Sequence, residues 1–463
     1  MRSSALFLML ILVQECRGHR VVNVTTFGAY SDGTHSAITT EAFRKAFASA
    51  PQGEIMIASG TYLIDNSTGP LVIKNFSGRV TFQGGAQLVF ATNTNGGLLF
   101  AGGSGAVISG LRATYSRPPA VRKSPNEEIK FYNTVNTVLT DTVVENSPAA
   151  GILFFNSINP TVTNAKVMNS LADGLNFSNC RDARVTNLVT QNTGDDGLAF
   201  VNYTAYPNLT GGLARDVTIT NSRARGIAVA GQSNVSVIGF KIQNTSSSGV
   251  LVAQDVANKT RVPAHVLIEN GSVDNAGTLA PLVGNQYGVE FNSQETATFD
   301  NIVVFGSGNN GLSGTSPQGS VIVNNVTINS PLVGIGFLFY RTQSVKITRS
   351  AANKTPSYGL LALNSSHVLV EGLTVTNAGV ADRLKRAVWF ENAETISASS
   401  VSIVAGTDLA NVVGCYTAPG HPAARGSVKI SNFEPKQGNN KLSIENNCLN
   451  VSFAELEGIR SNE

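Results

Sequence analysis

A glycine followed by an apolar residue recurs through the middle of the chain. It stands at Gly151-Ile152, Gly174-Leu175, Gly197-Leu198, Gly226-Ile227, Gly249-Val250, Gly288-Val289, Gly311-Leu312, Gly334-Ile335 and Gly359-Leu360. The successive intervals are 23, 23, 29, 23, 39, 23, 23 and 25 residues. A nearly fixed period of this size marks a solenoid, and the longer intervals read as insertions into a turn. Three positions after the glycine stand Phe154, Phe177, Phe200, Val229, Val252, Phe291 and Phe337, all apolar. The position between is mixed: Leu153, Asn176, Ala199, Ala228, Leu251, Glu290. This period-two alternation predicts a strand at each glycine, with one face inward. Five residues before the glycine stand Asn146, Asn169, Asn192, Asn221, Asn244 and Asn329, and five after it Asn156, Asn179, Asn202 and Asn364. Identical amides in register predict hydrogen-bonded ladders along the stack.

Further short strands are predicted at "ARVTNLV", "DVTITN", "VSVIGF" and "SVKIT", and no part of the period has helical spacing. The L-x-x-L-x-L-x-x-N pattern of a leucine-rich horseshoe is absent. These features predict an all-β, single-domain parallel β-helix of about 23 residues per coil, with coils about 4.8 Å apart. Between Thr39 and Ser49, Ala42, Phe43, Ala46 and Phe47 recur at helical spacing. That predicts a short N-terminal capping helix over about residues 38–50. A C-terminal lid is expected over about 405–463.

The ends and the cysteines set the compartment. Arg2, the apolar run Ala5 to Val13 and Cys16-Arg17-Gly18 read as a secretory signal peptide over residues 1–18, too short to span a membrane. The β-helix domain would then occupy 19–463, in a secreted, soluble, extracellular protein. Sequons at Asn23, Asn66, Asn75, Asn202, Asn208, Asn234, Asn244, Asn258, Asn270, Asn325, Asn353, Asn364 and Asn450 are glycosylation candidates. Asn176 also heads a sequon but falls on the candidate cleft strand, so it is expected to be unmodified. Loss of Cys16 with the signal leaves three cysteines, and an oxidising compartment favours a Cys415–Cys448 disulfide with Cys180 as a buried thiol. Net charge is only +3 with no basic run, so nucleic acid and membrane are not expected partners. A monomer is expected. His19, His35, His265, His367 and His421 share no metal-ligand spacing, so zinc is not expected.

The phrases A-D-G-L-N-F and D-D-G-L-A-F place Asp173 and Asp196 immediately before successive repeat glycines, with Asp195 alongside. Stacking puts the first two about one coil spacing, ~4.8 Å, apart on one ridge. Carboxylates in register repel, and a pKa should rise. The same ladder position carries Arg225 and Ser248 in the next coils, and Arg225 would neutralise the pair or hold a substrate hydroxyl. Asp before Gly is also ordinary turn chemistry, and carboxylates also bind calcium. Converging carboxylates beside a glycine that would admit a ligand favour catalysis by glycoside hydrolysis. In that chemistry one carboxyl protonates the leaving oxygen and another carboxylate activates water or attacks. Asp195 is the expected acid, and Asp173 with Asp196 would hold the water. Further cleft candidates are Arg223, Asn176, Tyr203, Gln254, Asp255 and Glu290. Tyr203 and Trp389 are candidates for stacking on a sugar, against simple packing.

The segment "FGAYSDGTHSAITTEAFRKAF...IMIASGTYLI", Phe27 to Ile64, resembles the opening segment of the pectate-lyase-like right-handed β-helix superfamily. "ADGLNF" and "NTGDDGLAF" resemble the paired Asp motifs of inverting glycoside hydrolases on that fold, which in polygalacturonases read N-T-D-G and G-D-D. That resemblance implies Asp195 as acid and Asp173 with Asp196 as water-holders. The polygalacturonase G-H-G is replaced by "SRARGIAVAG", and its R-I-K by "SSSGVLVAQD", which has no basic residue. The motifs are more similar to the α-1,3-glucanase (mutanase/mycodextranase) group. The implied function is a secreted, inverting glycoside hydrolase on a polysaccharide, leaning to a neutral glucan and needing no cofactor. The alternatives are a pectin-active hydrolase, a lyase (with calcium) or epimerase of the same fold, and a non-catalytic carbohydrate-binding solenoid.

Overall fold

Short alternating segments make short strands, and stacking is the way such strands bury their apolar faces. In a computed structural model of the protein they form one continuous parallel β-helix, described for residues 20–279, 285–379, 386–405, 412–435, 442–448 and 450–454. The expected signal peptide and parts of the expected C-terminal lid lie outside the described residues. Most central coils contribute a four-residue strand at the repeat glycine, among them Ile152–Phe155, Leu175–Ser178, Leu198–Val201, Ile227–Ala230 and Val250–Ala253. These pair in parallel and in register, Ile152 with Leu175, Leu175 with Leu198, Leu198 with Ile227. We call this surface the front sheet. A turn then leads into a longer strand, such as Ala183–Thr193 or Val235–Thr245, which bends once and serves the two remaining faces.

The bend has a residue-level cause. Asn187 sits at φ +56° and Asn164 at φ +54°, left-handed backbone that asparagine tolerates better than most residues. Their amides form a ladder, Asn187 donating to Asn164 and Asn164 to Asp141, both at 2.9 Å. The ladder expected five residues before the glycine is present. Asn169 donates to Asn146, Asn192 to Asn169, Asn221 to Asn192 and Asn244 to Asn221, at 3.0–3.3 Å. The ladder expected five residues after it is split. Asn156 donates to Asn133 at the surface, whereas Asn179 and Asn202 pair with each other in the interior.

Inside the coil, Phe100, Phe131, Phe154, Phe177 and Phe200 stack with centroid spacings of 4.3–5.5 Å. All are buried. The repeat glycines serve this packing. A Cβ at Gly174 would lie 2.6 Å from both the Gly197 carbonyl oxygen and Thr190 Cγ2. The expectation that these glycines make room for a ligand is therefore corrected: they make room for the next rung and the core. A second correction concerns register. Phe337 lies opposite Leu312 and Leu360, so the repeat glycine of that coil is Gly336, and Gly334 belongs to the preceding turn.

A helix, Ser36–Ser49, covers the N-terminal end, burying Ala42, Phe43, Ala46 and Phe47. Phe43 meets Tyr62 edge-on at 5.5 Å, and Phe47 meets Phe76 at 5.1 Å. Toward the C-terminus, front-sheet rungs continue at Val412–Tyr416 and Ser443–Asn447. Cys415 and Cys448 are disulfide-bonded there. Cys180 is free and buried, its Sγ–H donating to the Phe154 carbonyl. Two glycosylation candidates are corrected. Asn66 and Asn202 are fully buried, their amides donating to Thr92 and Gly96 carbonyls and to Asn208 and the Leu209 carbonyl respectively. Neither can carry a glycan in the folded protein. Among the described residues no helix is long and apolar enough to cross a membrane.

Candidate active site

The repeat itself assembles the site. Asp173 and Asp196 end adjacent turns, each leading into a front-sheet strand, and the backbone N–H of Asp196 donates to Asp173 Oδ1 at 3.1 Å. Asp173 Oδ2 accepts from the Asn176 amide at 2.6 Å, and Asn176 in turn accepts from the Ser178 hydroxyl at 2.7 Å. Asp196 Oδ1 accepts from the backbone N–H of Arg225 at 2.9 Å and lies 3.2 Å from Arg225 Nε. Asp195 is oriented through its backbone: its carbonyl accepts from the Thr193 hydroxyl at 3.0 Å and the Ser222 hydroxyl at 2.6 Å. Carboxylate oxygens of all three aspartates lie within 4.8 Å of one another.

Burial differs among the three. Asp173 and Asp196 are almost fully covered, whereas the Asp195 side chain retains 28% of its exposure. Burial first, then the Asp195 carboxylate, pushes Asp173 up to about 6. Burial pushes Asp196 up to about 8, against the lowering effect of Arg225. The pair thus shares a proton near neutrality, as like charges in a low-dielectric site must.

Sequence reasoning missed the partner of Asp195. Arg122 Nη1 lies 2.7 Å from Asp195 Oδ2. It arrives from the proline-bearing strap 117–125, which sits outside the 23-residue frame and gives no periodic signal. Two guanidiniums therefore face three carboxylates. Proton donation from Asp195 requires the Arg122 pair to open. The carboxylate spacing is also shorter than the ~6.5–9.5 Å of two-carboxylate inverting sites and nearer the ~5 Å of retaining ones. Inversion accordingly rests on the motif resemblance and not on this geometry.

The other expected cleft residues fall in several places. Tyr203 packs on Ala199, Val201, Ala228 and Ala230, and burial first, then the Asp173 charge, raises its hydroxyl. Asn176 is a direct partner of Asp173. Glu290 lies farther along the front sheet, accepting from the Ser248 hydroxyl at 2.5 Å and the Asn285 amide at 2.6 Å. Asp255 is turned into its own loop, accepting from Asn258 N–H and amide, and Gln254 donates to the Thr260 carbonyl. Arg223 is exposed and lines a groove of about 1000 Å³ together with Arg122, the rest of the strap and the outer asparagine ladder. Trp389 is corrected: it is buried, with the Arg386 guanidinium 3.8 Å over its ring, so it has no free face for a sugar.

The comparisons agree with this architecture. A family model described as a right-handed β-helix region matches residues 150–325. No curated protein matches by sequence. An Asp-to-Ala variant of the catalytic domain of a GH87 α-1,3-glucanase, in complex with tetrasaccharides, is 18% identical with a TM-score of 0.55, covering 78% of this chain and 66% of that one. The same kind of catalytic domain in complex with nigerose is 15% identical with a TM-score of 0.51, covering 78% and 65%. The Dettilon tailspike protein is 14% identical with a TM-score of 0.50, covering 66% and 68%. The chain thus spans about two thirds of the length of each of these structures. At such identities the likeness is one of fold: this chain is a right-handed parallel β-helix.

Proposed function

We propose that this chain is a secreted glycoside hydrolase that cleaves a polysaccharide lying along its front sheet. The observation that carries the reading is the cluster of three carboxylates within 4.8 Å, two of them buried. Such a cluster is costly to fold and suits acid–base cleavage of a glycosidic bond. Asp195, the least buried of the three, is the group that reaches the glycosidic oxygen. Asp173 and Asp196, fixed by Asn176 and Arg225, hold and deprotonate the water. A sugar ring entering the site displaces Arg122 and leaves Asp195 facing the glycosidic oxygen. GH87 α-1,3-glucanases in complex with tetrasaccharides and with nigerose share the fold, which supports a saccharide substrate.

A neutral sugar fits the charge balance. Arg122 and Arg225 are both matched to carboxylates, and two guanidiniums do not outweigh the three acids that a uronate would meet there. The same contacts disfavour a calcium-dependent lyase, since calcium needs about 6–8 oxygen ligands and two of the three carboxylates already carry a guanidinium. The test is incubation with soluble α-1,3-glucan, pullulan, laminarin, polygalacturonate and alginate, with products followed by NMR. New reducing ends from a neutral glucan support the reading. Unsaturated products abolished by chelation, or binding without turnover across the panel, contradict it.

A further inference from the structure

Outward-facing positions of the front sheet form rows along the helix axis. One row runs Tyr132, Phe155, Ser178, Val201 by strand register. Tyr132 and Phe155 stack at 5.8 Å with planes 12° apart. This stack stands outside the coil, on the opposite face of the sheet from the buried phenylalanine column, so the core does not need it. Tyr132 is 41% exposed, a large apolar surface left in water. Tyr206, brought by the insertion between Gly197 and Gly226, closes edge-on against Phe155 at 4.8 Å and is itself 42% exposed. Tyr203 adjoins Tyr206 at 6.5 Å and reaches toward Asp173. The rings therefore make a continuous aromatic cluster on the outside of the front sheet, and the row turns small at Ser178, whose hydroxyl bonds Asn176, the partner of Asp173. Beyond Tyr132 the sheet opens into a hollow of about 320 Å³ lined by Lys130, Glu127 and Asn126. There Lys130 and Glu127 pair at 3.0 Å, offering polar groups beside the apolar face.

Tyr132 ends the stack, with Phe155 on one side and only the small Ala101 on the other, and an exposed ring beside polar groups matches a pyranose, which has an apolar C–H face and a rim of hydroxyls. We propose that Tyr132, Phe155 and Tyr206 form a sugar-stacking subsite on the N-terminal side of the carboxylates. It binds consecutive rings of a neutral polysaccharide and directs the chain across Asp173, Asp195 and Asp196. This rests on the glycoside reading above. The platform makes the protein prefer long chains, because a disaccharide at the carboxylates does not reach Tyr132.

The test is steady-state kinetics of wild type, Tyr132→Ala, Phe155→Ala and Tyr132→Trp, on the glucan that wild type cleaves and on the corresponding disaccharide. For the alanine variants KM on the polymer should rise about tenfold, the scale of a lost aromatic anchor, with kcat little changed. The preference for polymer over disaccharide should fall by a similar factor, and Tyr132→Trp should restore it. Equal losses on long and short substrates, or polymer KM values matching wild type, overturn the subsite and leave the hydrolase reading standing. If wild type neither binds nor cleaves any glucan of the panel, the hydrolase reading fails and the subsite with it. Tyr132 is exposed, so its variants report even if Phe155→Ala fails to fold.

Discussion

At the scale of single residues, the proposed chemistry depends on one proton held by the buried pair Asp173 and Asp196. Asp173 and Asp196 are raised to about 6 and about 8, so the proton is present below the higher value and lost above it. Activity should therefore fall on the alkaline side near pH 8 and on the acid side near pH 6, as macroscopic values of the cluster. Arg225 lowers Asp196. Replacing it, as Arg225→Gln, should shift the alkaline limb of the kcat/KM profile to higher pH; an unmoved limb contradicts the pairing. The stacking of Asp173 over Asp196 was legible in the sequence because both stand before a glycine of a fixed period. Arg122 was not legible, because a residue 73 positions away meets Asp195 only through the course of a loop.

At the scale of the rung, glycine and left-handed asparagine decide whether coils can stack. A methyl group at Gly174 would meet a rung carbonyl and the Thr190 side chain at 2.6 Å. Gly174→Ala should destabilise the fold by about 1–3 kcal/mol, measured by denaturant unfolding. Asn187→Ala loses both its ladder bond and a tolerable left-handed residue, costing on the order of 1–2 kcal/mol. Wild-type stability in either variant would count against the packing described. The front strands were readable because glycine, alternation and phenylalanine repeat together. The bend at Asn187 was not, because its position changes residue type from coil to coil, with Asp216 and then Gly239 in the next two. The shift from Gly334 to Gly336 shows the limit of a glycine count: two glycines near the right spacing are separated only by which one lies against the next rung.

At the scale of the molecule, buried acids tie stability to pH. Burial raises Asp173, Asp196 and also Glu128, whose two side-chain oxygens have no hydrogen-bond partner. For an acid whose folded value lies above its unfolded one, the folded state binds the extra proton, so stability falls as pH rises from about 4 through the folded value. Thermal stability should therefore decline between about pH 5 and pH 8, and Glu128→Gln and Asp196→Asn should each flatten that decline and raise the melting temperature at pH 8. A melting temperature lowered at pH 8 in both variants would show that the charged forms are not a cost. The central claim is catalytic, and it is tested most directly by comparing wild type with Asp195→Asn on the glucan panel. Wild type should release reducing ends from a neutral glucan, and Asp195→Asn should lose that activity by about 10²–10⁴-fold while keeping the wild-type thermal transition. Hydrolysis by Asp195→Asn at the wild-type rate, or no turnover of any panel polysaccharide by wild type, would contradict it.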